Sequence, residues 1–267
     1  MNPRELKPTC GKCQALGRKV SKRPSEPKLP LPLEILREIC AYADVETCAN
    51  LACTTKQWNA AAYPTLYRSI KIENPSTADR RVKVLRNTLG NSKAAVDIRR
   101  FSGIFANYNS QSHLGEVLMK ATRLQSLEIC FHGDERRGLW TQKAYTFDFS
   151  SHPHLEVMRV PGVLLRSMAA ALSDPHTIAQ LMPPSLKILG IQDRSWNPDA
   201  EADFPEVDFP EIILDYIKKS SLDLFKLESN LTEWTNKRAT LRALCEQKPI
   251  KLDDSNCACN ARFLYME

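Results

Sequence analysis

Apolar residues recur at helical spacing in three short runs between residues 31 and 70. The first run opens on Leu31 and Pro32, and a proline fits a first helical turn because the N–H that it lacks would have no partner there. The aliphatic residues that follow share one side of the predicted helix: Ile35, Leu36 and Ile39. This helix therefore carries an apolar stripe that needs a partner.

Two shorter runs follow the first one. The second spans Thr47 to Cys53, and the third spans Thr55 to Ala62 and contains Trp58. Tyr63 and Pro64 are expected to end the third helix, because a residue before proline is pushed out of the helical region. A module of about forty residues buries too little surface to be stable alone. We therefore expect the module to pack against the rest of the chain, against a partner, or against both.

Ten residues of this stretch form a motif: Leu31, Pro32, Glu34, Ile35, Leu36, Ile39, Lys56, Trp58, Leu66 and Tyr67. A Leu-Pro pair, an acidic residue two places on, aliphatics, Lys-x-Trp and a closing Leu-Tyr together resemble an F-box. The resemblance implies docking on the Skp-type adaptor of a cullin-RING ubiquitin ligase, with the cullin as a further partner. The adaptor-binding residues that it implies are Leu31, Pro32, Ile35, Leu36, Ile39 and Trp58. The alternative is an ordinary helical hairpin.

A second pattern follows, in which a triplet of apolar residues recurs with constant internal spacing. Three triplets lie 31 residues apart: Leu124-x-x-Leu127-x-Ile129, Leu155-x-x-Met158-x-Val160 and Leu186-x-x-Leu189-x-Ile191. The frame extends to three others: Tyr67-x-x-Ile70-x-Ile72, Ile98-x-x-Phe101-x-Gly103 and Leu222-x-x-Phe225-x-Leu227. A fixed period of this length predicts stacked structural units. Six short strands are therefore expected.

Helix signals separate these strands. The predicted helices begin near Ser76, Ser112, Asp174-Pro175 and Pro210, and a terminal helix spans Glu233 to Gln247. Ile250 and Leu252 are candidates for an additional edge strand. The fold class is therefore α/β, with a small all-α module followed by a solenoid of about six short parallel strands and intervening helices. The solenoid resembles leucine-rich repeats, in the degenerate form found in F-box proteins of fungi.

Composition marks a basic tail at 1–28, and the resemblance and the triplet frame imply an F-box at 29–65, a repeat region at 66–252 and a C-terminal tail at 253–267. The basic tail holds eight lysines and arginines against two glutamates, few aliphatics and no aromatics, so disorder is expected. Arg18-Lys19 and Lys22-Arg23 are a candidate nuclear-import signal. The other residues are charge-balanced, which argues against a nucleic-acid partner for the folded part. An acidic insertion, Trp196 to Phe209, is expected to project as a loop.

Neither an enzyme nor a membrane protein is expected. The chain has no G-x-S-x-G, G-x-G-x-x-G, Walker or H-E-x-x-H motif, and no apolar run near the roughly 20 residues that span a bilayer. The close pair His152 and His154 is interpreted as part of a polar loop, and no cofactor is expected. The nine cysteines favour a reducing compartment, so the predicted location is cytoplasmic, nuclear or both.

Four terminal cysteines could supply thiolates for a tetrahedral zinc ion: Cys10, Cys13, Cys257 and Cys259. The two pairs are separated by the whole repeat region, and C-x-C is an unusual spacing for structural zinc. We therefore favour exposed terminal cysteines and no metal site.

Side chains alternate along a strand, so the third and fifth positions of each triplet frame should point away from the core. The candidate target-binding residues at these positions are Lys71, Arg100, Glu128, Arg159 and Lys226. Four basic groups and one acid suggest an acidic or phosphorylated target. The combined interpretation is a non-catalytic substrate receptor of an SCF-type ligase that binds an unidentified protein, and the alternative is an interaction scaffold outside any ligase.

Overall fold

A computed structural model describes residues 31–89, 96–105, 111–131, 147–192, 209–219, 226–229 and 237–253. The described chain begins with three helices and continues as an α/β region built on one parallel sheet of seven strands. The predicted basic tail, the acidic loop up to residue 208 and the four terminal cysteines lie outside the described residues.

The helical module consists of three helices: α1, Leu33–Tyr42; α2, Val45–Ala52; and α3, Lys56–Arg68. Asp44 caps α2, because its Oδ1 accepts a hydrogen bond of 2.7 Å from the Thr47 N–H. The hydroxyl of Thr55 caps α3 by accepting from the Trp58 N–H at 3.2 Å. These caps set the starts of both helices, and α2 begins two residues before the predicted start at Thr47.

The predicted end of the third helix at Tyr63 and Pro64 is wrong. Pro64 lies inside α3, which continues to Arg68 and passes directly into the first strand. The extra turn is held from two sides: Leu66 packs against the core of the helical module, whereas Tyr63 and Tyr67 pack against the core of the sheet region. This burial outweighs the hydrogen bond that proline removes. The same helix therefore belongs to both cores.

Seven strands pair in chain order, and every pair is parallel. They are β1, Ser69–Ile72; β2, Arg100–Phe105; β3, Ser126–Phe131; β4, Val157–Pro161; β5, Ile188–Gln192; β6, Lys226–Ser229; and β7, Lys251–Asp253. The six predicted strands are present, and the predicted additional edge strand is β7, which contains Leu252. Chain-order parallel pairing is typical of a solenoid.

The register confirms the triplet frame for the first five strands. Ile70, Phe101, Leu127, Met158 and Leu189 are successive register partners, and each faces the core. In β6 the partner of Leu189 is Leu227, not the predicted Phe225. The predicted frame was therefore displaced by two residues in that repeat. A shift of two keeps each side chain on the same face, so Lys226 still points outward.

Helices connect most of the strands: α4, Pro75–Leu89; α5, Gln111–Lys120; α6, Gly162–Ala170; a 3₁₀ helix, Pro175–Leu181; α7, Phe209–Lys219; and α8, Arg238–Gln247. The sequence did not predict α6, which follows β4 without a polar cap. Asn74 occupies the capping position expected of Ser76, since its Oδ1 accepts from the Ser76 N–H at 3.0 Å. Asp174 caps the 3₁₀ helix as expected from its position before Pro175.

The inward side of the sheet and the helices enclose one continuous apolar core. His152 belongs to this interior: it lies in a loop before β4 as predicted, but it is a buried residue and not part of a polar surface. It is fully buried, its Nε2 lies 2.9 Å from the Leu118 carbonyl oxygen, and its ring meets Phe149 edge-on. A hydrogen bond from the buried imidazole to this carbonyl gives the ring nitrogen a partner, and it connects α5 to the loop before β4. His154 is exposed.

Candidate functional site

Helix α1 has a buried side and an exposed side, and both carry aliphatic residues. Leu36 and Cys40 are completely buried in the core of the helical module. Ile35 and Ile39, on the other side, keep 41% and 42% of their surface exposed, and Leu31, two residues before the helix begins, keeps 39%. The inclusion of Leu36 in an outward-facing patch is therefore wrong, because it supports the module from within. We call the exposed residues Leu31, Pro32, Ile35 and Ile39 the α1 patch.

Two further apolar side chains, which the sequence reasoning missed, are exposed where α1 meets α2. Tyr42 is 86% exposed and Val45 is 68% exposed. They enclose Ala43 and Asp44, the residue that caps α2, and two large apolar residues so close to a predicted helix end were the signal available in the sequence. Trp58 differs, since it is half-buried and packs against the core of the helical module. Exposed apolar side chains are thus concentrated on α1 and the turn that follows it.

Two thiols help to hold the inner side of α1. Cys48 on α2 donates from Sγ to the Cys40 carbonyl oxygen at 3.2 Å, and both residues are completely buried. Burial, together with the neighbouring Cys48 thiol, raises the pKa of Cys40. Both effects keep the thiol protonated at neutral pH, so Cys40 acts as a small apolar residue.

The outward side of the sheet carries two rows of register-matched side chains, which we call the strand face. The first row is Ser69, Arg100, Ser126, Val157, Ile188, Lys226 and Lys251; the second is Lys71, Ser102, Glu128, Arg159, Gly190, Glu228 and Asp253. The five predicted target-binding residues all lie in these rows. Their common face follows from the period of two in a strand.

A network of ion pairs covers the second row on β4 to β7. Arg159 binds Glu228 in bidentate fashion, with Nε donating to Oε2 at 2.6 Å and Nη2 donating to Oε1 at 3.0 Å. Lys226 donates from Nζ to Glu228 at 2.9 Å and lies 2.8 Å from Asp253 Oδ2. Hydrogen bonding to Arg159 holds the pKa of Glu228 below its ordinary value, and bonding to Asp253 and Glu228 raises that of Lys226. The network is therefore fully charged at neutral pH.

Gly190 lies between the two partners of this network. Arg159 on β4 and Glu228 on β6 are separated by β5, and Gly190 is the register partner of both. A Cβ atom at Gly190 would lie 2.7 Å from Arg159 Cγ and 3.2 Å from Glu228 Oε2. The missing side chain is therefore what lets Arg159 cross a whole strand to reach Glu228.

The charge of the strand face differs from the expectation. Sequence reasoning counted four basic groups and one acid, but Glu228 and Asp253 also lie on this face and neutralise two of the bases. Lys71 pairs with Glu73. The displaced frame in β6 hid Glu228 from the earlier count. Lys251 adds one base, so the predicted four bases and one acid become five bases and three acids on this face.

In the part of the chain that the structure describes, the helices are too short or too polar to span a bilayer. The same residues contain no group of three or more His, Cys, Asp or Glu side chains placed to hold a metal ion. The terminal cysteines lie outside that part, so their zinc-free state stays a prediction.

Residues 29–73 match the F-box-like family, a span that contains the helical module and β1. No curated protein matches the chain. The match supports a protein-interaction role for the helical module. The match ends directly after β1 and does not cover strands β2 to β7.

Proposed function

We propose that the protein is a substrate receptor of an SCF-type cullin-RING ubiquitin ligase. The observation that carries the proposal is the two-sided packing of α1 within the F-box-like domain. Leu36 and Cys40 complete the internal core, whereas Ile35 and Ile39 on the same helix, and Leu31 just before it, stay about 40% exposed. A row of aliphatic side chains on a stable helix is suited to an apolar groove on an adaptor, and the cullin would follow through that adaptor.

The receptor would act without chemistry of its own, as neither an enzyme nor a cofactor-binding protein. Holding a target beside a charged ubiquitin carrier converts a bimolecular encounter into an intramolecular one, which raises the transfer rate. Such a role requires a fixed geometry between the two binding surfaces. Helix α3 supports that geometry because it packs on both cores and continues into β1 without a linker.

The target would bind the sheet region, which we interpret as a solenoid of degenerate leucine-rich repeats of the kind in fungal F-box proteins. Chain-order parallel strands with a recurring apolar triplet support this interpretation. The strand face is the surface on which successive repeats present aligned side chains. A cytoplasmic or nuclear location fits a ligase subunit with thiols such as Cys40 and Cys48 buried and reduced.

A pull-down of a Skp-type adaptor tests this function. Ile35→Ala with Ile39→Ala removes two exposed anchors and should weaken binding by roughly a hundredfold, because each lost anchor costs more than about 1 kcal/mol. These positions are better suited than Leu31 and Pro32, since Pro32 also precedes α1 and its loss would fray the helix start.

Val84→Ala is the matched control. Val84 is an aliphatic residue on α4 with 57% of its surface exposed, and its truncation should leave adaptor capture unchanged. The receptor function would be contradicted if folded, monodisperse wild-type protein captured no adaptor at micromolar concentration. The alternative, a scaffold outside any ligase, would then take its place.

A further inference from the structure

Two cations on the strand face have no ion-pair partner among the residues that the structure describes: Arg100 on β2 and Lys251 on β7. Both are exposed and both lie in the first row. Lys226 and Arg159, by contrast, are already bound to acids of the same chain. The positive charge available to a ligand is therefore concentrated near the two ends of the first row.

Aliphatic side chains occupy the middle of that row. Val157 on β4 and Ile188 on β5 are register partners and are half-buried. They form an apolar step between Arg100 and Lys251 and lie beside the neutralised pair of Arg159 and Glu228. A ligand would gain from placing apolar groups at the centre and negative charge at both ends.

Strand spacing sets the dimensions of such a ligand. Neighbouring strands lie about 4.8 Å apart, so Arg100 is about 10 Å from Val157 and Ile188 is about 10 Å from Lys251. An extended peptide advances about 3.4 Å per residue and its side chains alternate, so side chains on the same side of the peptide lie about 7 Å apart. A segment of seven residues presents four side chains to the strand face over about 20 Å, and the long side chains of Arg100 and Lys251 bridge the rest of the roughly 24 Å between their strands.

Glu128 argues against a uniformly acidic ligand. It lies on β3 in the second row, between Arg100 and the Val157 position, and it has no ion-pair partner within the described part of the chain. A negative charge above β3 would be repelled by this carboxylate, whereas one above Arg100 would be attracted. The face therefore favours acids at defined positions.

We propose that the strand face binds an extended protein segment in which an acidic residue or phosphoresidue, two aliphatic residues and a second acidic residue or phosphoresidue occupy four alternate positions. The aliphatic residues pack on Val157 and Ile188, and the acids pair with Arg100 and Lys251. This inference rests on the proposed function, because it specifies the target that the receptor presents. It replaces a generally acidic target with a patterned one.

Selection from a displayed library of random peptides about nine residues long tests the pattern, with the full chain bound to its adaptor as bait. The enriched peptides should carry the acid–aliphatic–acid spacing. A fluorescent peptide of that sequence should lose roughly tenfold in affinity when Arg100→Glu and Lys251→Glu are combined. Changing its central aliphatic residues to serine should weaken binding to the wild-type face by a similar factor.

Arg80→Glu with Lys83→Glu is the matched control, because it reverses one exposed arginine and one exposed lysine on α4. This variant should bind the peptide as the wild-type chain does. Adaptor capture, measured on the same samples, should be equal for all variants. Loss of adaptor capture would count against the receptor function, whereas intact capture with failed peptide selection would count against the strand-face ligand alone.

Three results would overturn the proposed ligand. The first is no enrichment, and the second is enrichment of peptides whose binding survives reversal of Arg100 and Lys251. The third concerns the acidic segment Trp196 to Phe209 of the same chain. If peptides bind only after its acids are changed to amides, this segment and not a foreign target is the occupant.

Discussion

The helical module and the sheet region expose different chemistry. The module leaves aliphatic side chains on its surface, with Ile35 and Ile39 each about 40% exposed beside a fully buried Leu36. The sheet region buries its aliphatic residues on the inward side and presents mainly polar side chains outward, where Arg159 and Glu228 neutralise one another. Aliphatic side chains that bury surface against a partner are suited to one constant partner. Ion pairs and register-matched rows of side chains can instead discriminate between ligands.

The largest expected effect separates the two sides of α1. Leu36→Ala should lower the free energy of unfolding of the helical module by about 3 kcal/mol, because it leaves a cavity in a small core. Ile35→Ala should change stability by less than about 0.5 kcal/mol, since Ile35 is exposed. Hydrogen exchange should show faster exchange across α1 to α3 in the first variant only. Equal protection in both variants would contradict the assignment of inner and outer sides.

Periodicity predicted the sheet well because side chains alternate with a period of two. A frame that is displaced by two residues therefore still places each side chain on the correct face. The frame was displaced by two residues in β6, yet Lys226 was still placed on the outward face. The cost was the identity of its neighbours, since the displaced frame left out Glu228. The connection before β6 is longer than the others, and its length does not indicate at which residue the next strand begins.

Residues whose position depends on tertiary packing were predicted less well. Leu36 and Ile39 are both aliphatic on one short helix, and only the packing of α2 and α3 decides that the first is internal. Pro64 resembles a helix end, but burial of Leu66 and Tyr67 prolongs the helix past it. Local propensity loses to burial in both cases.

The next effect tests whether Gly190 is required by the ion pair that crosses it. Gly190→Ala should lower the free energy of unfolding by about 1–3 kcal/mol, because its Cβ would lie 2.7 Å from Arg159 Cγ. In an Arg159→Ala background the same substitution should cost much less, and chemical denaturation of the four proteins gives the coupling energy. Additive effects would show that the crossing side chain is not the reason for glycine here.

A smaller effect should depend on pH. Glu228→Gln should cost about 1 kcal/mol at neutral pH, because a neutral amide replaces a carboxylate bound to Arg159 and Lys226. The pKa of Glu228 is lowered in the folded protein, so its contribution is present above the ordinary value of 4.5 and is lost as pH falls through the folded pKa. Unfolding curves of wild type and variant should therefore converge in acid. A difference that persists there would mean that shape, not charge, stabilises this site.

The smallest effect concerns Tyr216 in the core of the sheet region, where the contrast with the polar strand face is sharpest. Tyr216 is 1% exposed, and its hydroxyl oxygen has no hydrogen-bond partner among the described residues. Burial raises the pKa of Tyr216, so the group stays neutral at all ordinary pH values. Tyr216→Phe removes a buried polar atom while keeping the ring, so stability should rise by up to about 1 kcal/mol. Leu214→Ala, at another buried position on α7, is the control and should be clearly destabilising. A loss of stability in Tyr216→Phe would instead mean that the hydroxyl is hydrogen-bonded, and that this core tolerates a polar group only when it is paired.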